Sequence, residues 1–243
     1  MPKSVLAVIL LRGAGRVPYL YVNACNVGGR EVLRRPLYCV LLSVVVLPCA
    51  LLVLVDLSVG DYELFRFLNQ ELINPALDVA CMYVSPGLFF LFYGFVLAII
   101  LVSRKRASMA TGMISVATGP LSYGVGSLIK LLVKRPRPFD VLSGVRVLGF
   151  WDTSSYSFPS TTTMLAFGLS LPMLILLEKR RYGATLSALS YFIGFSVIYA
   201  GFHFPADVVA GIIFSLGIAS MTSMMKDPLA RFLERFRAHA SFS

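Results

Sequence analysis

Charge is scarce in this sequence. Of its 243 residues only 14% are Asp, Glu, Lys or Arg, against about 25% in soluble domains, while 57% are hydrophobic. So few charges, unevenly spread, point to a chain solvated by lipid, and one membrane domain uses up the length without room for a second globular one. Histidine is rarer still, with two, His203 and His239, and tryptophan occurs once, at Trp151. The four cysteines, Cys25, Cys39, Cys49 and Cys81, lack metal-ligand spacing, and two of them lie inside one apolar run. They read as small buried hydrophobes rather than as a metal site. Acidic residues are outnumbered 12 to 22 by basic ones, for a net charge of +10. The excess falls in short clusters between apolar runs and not along one face, which argues against a nucleic-acid partner.

Long uncharged runs take the place of charge. A hydrocarbon core of ~30 Å needs about 20 apolar residues as a helix. Six stretches qualify: 37–55, 79–103, 107–129, 153–177, 182–202 and 208–225. Pro86 is expected to mark the start of the second helix and Ser160 the start of the fourth. The third run is rich in small residues (Gly112, Ser115, Gly119, Ser122, Gly124, Gly126 and Ser127), which lets helices approach closely, so it is expected at the centre of the bundle. Basic residues gather before the first run, at Arg104–Arg106, at Lys179–Arg181 and in the tail from Lys226 to Arg237. With six spans all four clusters share one side, which is then cytoplasmic, with both termini. Residues 61–73 resemble an interfacial helix. The tail 227–240 spaces Leu229, Phe232, Leu233 and Phe236 among basic residues, as a helix lying on an anionic leaflet would. The opening run 4–11 is too short to span, and no cleaved leader is expected.

One segment breaks the charge rule. On the side that should lack cations stand Lys130, Lys134, Arg135, Arg137 and Arg146, and the natural counterpart of such a cluster is an anion. Two further segments meet it in this topology: Phe158-Pro159-Ser160-Thr161-Thr162, and the turn from Ser196 through His203 to Asp207. Lys130 and Arg137 offer fixed positive charge, and a guanidinium matches phosphate oxygens in pairs. Ser160 at an N-cap would aim backbone N–H groups and a positive helix end at an anion. A carboxylate at Asp207 would fix the His203 tautomer and free its other nitrogen as a nucleophile. Each feature alone has a bland reading, as a headgroup anchor, a plain cap or a structural pair. Together, in order and on one side, they favour a phosphate site.

The order and spacing resemble the type 2 phosphatidic acid phosphatase superfamily, which includes the vanadium haloperoxidases. Its signatures are K-x6-R-P, P-S-G-H and S-R-x5-H-x3-D. Lys130 with Arg137-Pro138 fits the first; the Arg135-Pro136 register would need a lysine where Leu128 stands. Pro159-Ser160 fits half of the second, and Ser196, His203 and Asp207 fit the third. The chain departs where the family has glycine and histidine (here Thr161 and Thr162) and where it has the third signature's arginine (here Val197). The resemblance implies an all-α membrane bundle of six transmembrane helices over residues 37–225, between a cytoplasmic segment 1–36 and a basic tail 226–243. It implies His203 as the nucleophile and Asp207 as its orienter. Lys130, Arg137, Ser160, Thr161 and Thr162 would then hold phosphate, with no cofactor and no metal, although Asp140 and Asp152 are nearby carboxylates. The histidine replaced by Thr162 is the family's general acid.

The expected function is a lipid phosphatase or phosphotransferase of the cell membrane, working at the extracytoplasmic face through a phosphohistidine. The missing acid tilts it towards a polyprenyl diphosphate. The alternative from another class is a catalytically impaired member that binds lipid phosphate or serves as a scaffold. A transporter rests on the span count alone and leaves the external cations without a substrate. Trp151, beside Phe150 and near Tyr156 and Phe158, reads as an interfacial aromatic belt, with a lipid entrance as the functional alternative.

Overall fold

The computed structural model describes residues 42–149 and 156–240, without the side chains of residues 42, 43 and 236–240. Cys25, Cys39, the basic residues before 36, Phe150, Trp151 and Asp152 lie outside it. The described residues belong to one packing unit, Val40–Ser243. Every regular element among them is helical, as it must be where lipid offers the backbone no partner and each N–H has to find a carbonyl within its own segment.

The first apolar run enters through a wide π-type turn, Leu42–Val46, and becomes α1 (Leu47–Val59). Gly60, at φ +96°, makes the corner that a side chain would strain. There the chain bends by 107° into α2 (Asp61–Arg66), continued by a π-type turn to Glu71. This is the short helix expected over 61–73. Next come α3 (Pro75–Val102), α4 (Arg106–Val133), the single turn α5 (Pro138–Val141), α6 (Thr161–Leu176), α7 (Arg180–Tyr199), α8 (Pro205–Ser223) and the tail helix α9 (Lys226–Ala240).

Of these, α3, α4, α7 and α8 are long and apolar enough to cross a bilayer, and α1 with α2 counts as a fifth if the bent pair is one span. The sixth apolar helix, α6, has 16 residues, about 24 Å at ~1.5 Å per residue, and falls short of the hydrocarbon thickness. Protein covers it instead: 13 of those 16 residues are buried. The molecule is an all-α polytopic membrane bundle.

Two expectations need correction. The second helix does not begin at Pro86. It begins at Pro75, eleven residues earlier, capped by Asn74, whose Oδ1 accepts from the N–H groups of Ala76 (2.8 Å) and Leu77 (3.3 Å). A π-type turn at Ala80–Val84 then precedes Pro86, a local widening of the kind that lets a helix pass a residue without an N–H. Nor is α4 the centre of the bundle. Its small residues do bring it close to α6: a Cβ on Gly168 would lie 2.9 Å from Cα of Gly119, and one on Gly126 2.5 Å from Sδ of Met164. But α4 is small on one face only, and it turns Leu121, Leu128, Leu131 and Leu132 outward. The centre is α6, with α4, α7 and α8 packed around it. Phe167, Leu171 and Leu174 of α6 meet Val197, Val208 and Ile212 on one side, while Leu169 and Met173 meet Phe92, Val96 and Ile193 on the other.

At one end of the bundle a buried amide ties the loops together. Nδ2 of Asn69 donates to the carbonyls of Tyr199 (2.7 Å) and Arg146 (2.8 Å), and its Oδ1 accepts from the Arg146 N–H (2.9 Å). Asn69→Ala strands three such groups, so a loss of about 2–4 kcal/mol is expected, read as a lower unfolding midpoint in detergent. At the opposite end Lys105 pairs with Glu178 (2.7 Å), and Nζ of Lys226 donates to the Leu176 carbonyl that ends α6 (2.8 Å).

Candidate active site

The chain ends α4 at Lys134, in the left-handed region at φ 53°, and runs extended through Arg135-Pro136-Arg137-Pro138, since a residue before proline is pushed out of the helical region. Lys130, one turn before that end, points inward and is 3% exposed. Its Nζ donates to the carbonyls of Tyr156 (2.6 Å) and Ser157 (3.4 Å). Arg137 is 1% exposed, and its Nη1 donates to the Phe202 carbonyl (2.9 Å). The approach to α6 is stitched to this strip by Ser157, whose N–H donates to the Arg135 carbonyl (2.9 Å) and whose hydroxyl donates to that of Pro136 (2.9 Å).

Ser160 is the N-cap of α6, as expected. Its Oγ accepts from the Thr163 N–H (3.4 Å) and hydroxyl (2.9 Å), and its own N–H donates to the Asp207 carbonyl (3.0 Å). Thr161 and Thr162 form the buried first turn behind it. The third segment is the turn between α7 and α8. Gly201 holds φ +89°, where a Cβ would also lie 2.4 Å from the Arg146 carbonyl oxygen. The turn folds back so that the N–H groups of Phe202 (3.0 Å) and His203 (3.2 Å) both donate to the Val197 carbonyl. His203 is 1% exposed, with Nδ1 3.6 Å from Oδ2 of Asp207. That separation is too long for a hydrogen bond, and Nδ1 has no hydrogen-bond partner.

Burial is the main influence on His203. It disfavours the charged ring, and Lys130 and Arg137 push the same way from within electrostatic range, against the pull of Asp207. The ring is therefore held neutral below the ordinary histidine range. If His203 is the nucleophile, kcat stays constant from neutral pH down through that range and falls only at lower pH, as the ring gains its proton. A kcat–pH profile checks this; a fall centred at or above the value of an exposed histidine contradicts it.

The structure thus brings Lys130, Arg137, Ser160, Thr161, Thr162, His203 and Asp207 to one end of the bundle. Two signature positions serve packing. Ser196 donates to the Phe192 carbonyl of its own helix (2.7 Å), and Val197, where the family has arginine, is fully buried in the hydrophobic core. Two other cations of the basic segment meet protein carboxylates. Arg135, set aside with its register, pairs with Asp207 through Nη1 (2.8 Å) and with Asp61 through Nη2. Arg146 grips both oxygens of Asp78 (2.8 and 2.9 Å). The signal was in the charges: the acidic stretch holding Asp61 and Asp78 faces the basic segment 130–146, and part of that cluster answers protein carboxylates rather than a ligand.

A family model described as the PAP2 superfamily matches residues 110–230, a stretch that holds all three signature segments. The chain belongs to the PAP2 superfamily. It is similar to Undecaprenyl-diphosphatase BcrC of Bacillus subtilis (strain 168), with 29% identity over 179 residues, 72% of this chain and 88% of that protein. Bacitracin transport permease protein BcrC of Bacillus licheniformis is 29% identical over 165 residues, covering 66% of this chain and 76% of that one. Among solved structures, the crystal structure of Aquifex aeolicus LpxE superposes with a TM-score of 0.51 at 28% identity, over 67% of this chain and 93% of that chain. This PAP2 chain therefore shares the bundle of a solved relative, and its departures at Thr162 and Val197 sit within that shared frame.

Proposed function

We propose that the protein is a membrane lipid phosphatase that removes the terminal phosphate of a lipid diphosphate, of the polyprenyl class, through a phosphohistidine on His203. The observation that carries this reading is the buried, neutral His203, backed by Asp207 and flanked by the inward charges of Lys130 and Arg137. The similarity to an undecaprenyl-diphosphatase supports the substrate class.

In this reading Nε2 of His203 attacks the terminal phosphorus. The N–P bond forms as the P–O bond to the lipid monophosphate breaks, and Asp207 stabilises the positive ring that results. Hydrogen bonds of resting active sites often tighten once substrate is bound, and the 3.6 Å separation leaves the Asp207 contact to close in that way. Water then breaks the N–P bond, releasing inorganic phosphate and regenerating His203. Lys130, Arg137 and the N–H groups at the start of α6 hold the transferring oxygens.

The leaving group decides what the missing acid costs. An alkoxide is the base of a very weak acid and needs a proton as it leaves, whereas a phosphate, whose second pKa is about 6, departs without one. Thr162 in place of the acid therefore favours an anhydride over a phosphatidate-type ester. The site belongs at the extracytoplasmic face, with segment 1–36 and tail 226–243 in the cytoplasm, because the basic clusters at 104–106, 179–181 and 226–237 gather at the other end.

A second reading, a lipid-phosphate-binding or assembly member without turnover, is favoured by Val197 in the core and by the unpartnered Nδ1. Phosphate release from lipid mono- and diphosphates in mixed micelles separates the two. Release by wild type that His203→Ala abolishes supports the phosphatase. Binding of the diphosphate with no release by either protein supports the second reading.

A further inference from the structure

The nucleophile's orienter is itself held from behind. Oδ1 of Asp207 takes Nη1 of Arg135 (2.8 Å), while Oδ2 accepts the Phe204 N–H (2.9 Å) and faces Nδ1 of His203. The same guanidinium reaches Asp61 with Nη2 and lies 4.2 Å over the Phe204 ring. Asp61 is fixed in turn, its Oδ1 accepting the Ala206 N–H (2.9 Å). Asp207 is fully buried, with Arg135 and Asp61 at 22% and 16% side-chain exposure. We propose that Arg135 and Asp61 are positioning residues: the chain Asp61–Arg135–Asp207 keeps the Asp207 carboxylate ionised and aimed at the His203 ring. The proposal deepens the phosphatase reading and rests on it for its catalytic consequence.

The physical need is plain. A carboxylate removed from water without a countercharge takes up a proton, and a protonated Asp207 no longer holds Nδ1–H and bare Nε2 in place. His203 supplies no countercharge while its ring is neutral. Lys130 and Arg137 act electrostatically on that ring. The groups facing Asp207 are thus His203 and Arg135, with Asp61 and, beside it, Asp56 beyond the guanidinium. Arg135 is the cation in that set, and its rigid fork spans two carboxylates in one plane, which a lysine ammonium does not reproduce. Asp61 opens α2 just after the 107° corner, so the seating of that helix is transmitted to the nucleophile.

Three variants test this. Arg135→Gln removes the charge at similar length. It is expected to lower kcat by about 10- to 100-fold, the scale of losing a group that orients a reacting side chain, with KM within about threefold. The acid limb of its kcat–pH profile moves to higher pH, because without the guanidinium charge the His203–Asp207 pair takes up a proton more readily. Arg135→Lys restores the limb but not the full kcat. Asp61→Asn lowers kcat without moving the limb upward, since Arg135 is then free for Asp207 alone. A merely structural Arg135 would lower the yield or the unfolding midpoint and leave the limb where it was. A second readout needs no turnover: ¹⁵N-histidine NMR on the full-length protein in micelles, with His203 and His239 told apart by His203→Ala. Wild type shows a protonated Nδ1 and bare Nε2, and Arg135→Gln shifts that pattern. Unchanged His203 nitrogens in Arg135→Gln overturn the proposal. Shifted nitrogens in a protein that releases no phosphate leave the positioning role standing and sink the phosphatase reading instead.

Discussion

Replacing His203 with alanine is expected to lower phosphate release from a lipid diphosphate by about 10⁴- to 10⁶-fold, the scale of losing a nucleophile that works as a unit with its partner. The size follows from scarcity. His239 lies on the tail helix α9 beyond the last span, so no other imidazole reaches the site. It follows also from burial: a ring 1% exposed leaves no room for bulk solvent to substitute during the first step. His203→Gln keeps most of the volume and should fall as far, with an unfolding midpoint closer to wild type, which separates chemistry from packing. Phosphate release by either variant within tenfold of wild type would remove His203 from the mechanism.

The second large effect concerns the leaving group. General acid catalysis is worth about 10²- to 10⁴-fold, and Thr162 cannot supply it. A polyprenyl diphosphate should therefore be turned over at least about 100-fold faster, by kcat/KM, than a monophosphate of the same chain length, because only the second needs the lost proton. Thr162 lies in the first turn of α6, directly behind the cap at Ser160. Restoring the acid with Thr162→His should raise monoester hydrolysis by about 10-fold or more while changing diphosphate hydrolysis only a few-fold. Equal rates on the two lipids in wild type would mean that a different group donates the proton, or that bond breaking does not limit turnover.

How much of this was legible in the sequence depends on the range of the interaction concerned. Local patterns carried through. The uncharged runs became helices, Ser160 became a cap because its hydroxyl needs only the N–H three residues on, and the inward cations Lys130 and Arg137 arrived beside His203. What depends on long-range packing did not. That α6 and not α4 is the centre turns on which helix is covered on every face, and a stripe of small residues shows one face only. The start of α3 at Pro75 was hidden because Asp78 cuts the uncharged run short of the Asn74 cap, and a wide turn lets the helix run past Pro86. The pairing of Arg135 with Asp61 and Asp207 joins residues 74 and 72 positions apart. The register of the first signature made Arg135 look like a bystander. Only the charge contrast between the acidic stretch 61–78 and the basic segment 130–146 hinted at it, and that contrast does not say which cation meets which carboxylate.

The claim on which everything else rests is that His203 carries the phosphoryl group. Wild-type protein incubated with a polyprenyl diphosphate labelled in its terminal phosphate, then quenched in alkali, should retain label on His203, since a phosphohistidine survives base where an acyl phosphate does not. The account predicts alkali-stable label in wild type and none in His203→Ala. Equal alkali-stable label in both proteins, or phosphate release that His203→Ala leaves unchanged, would contradict it.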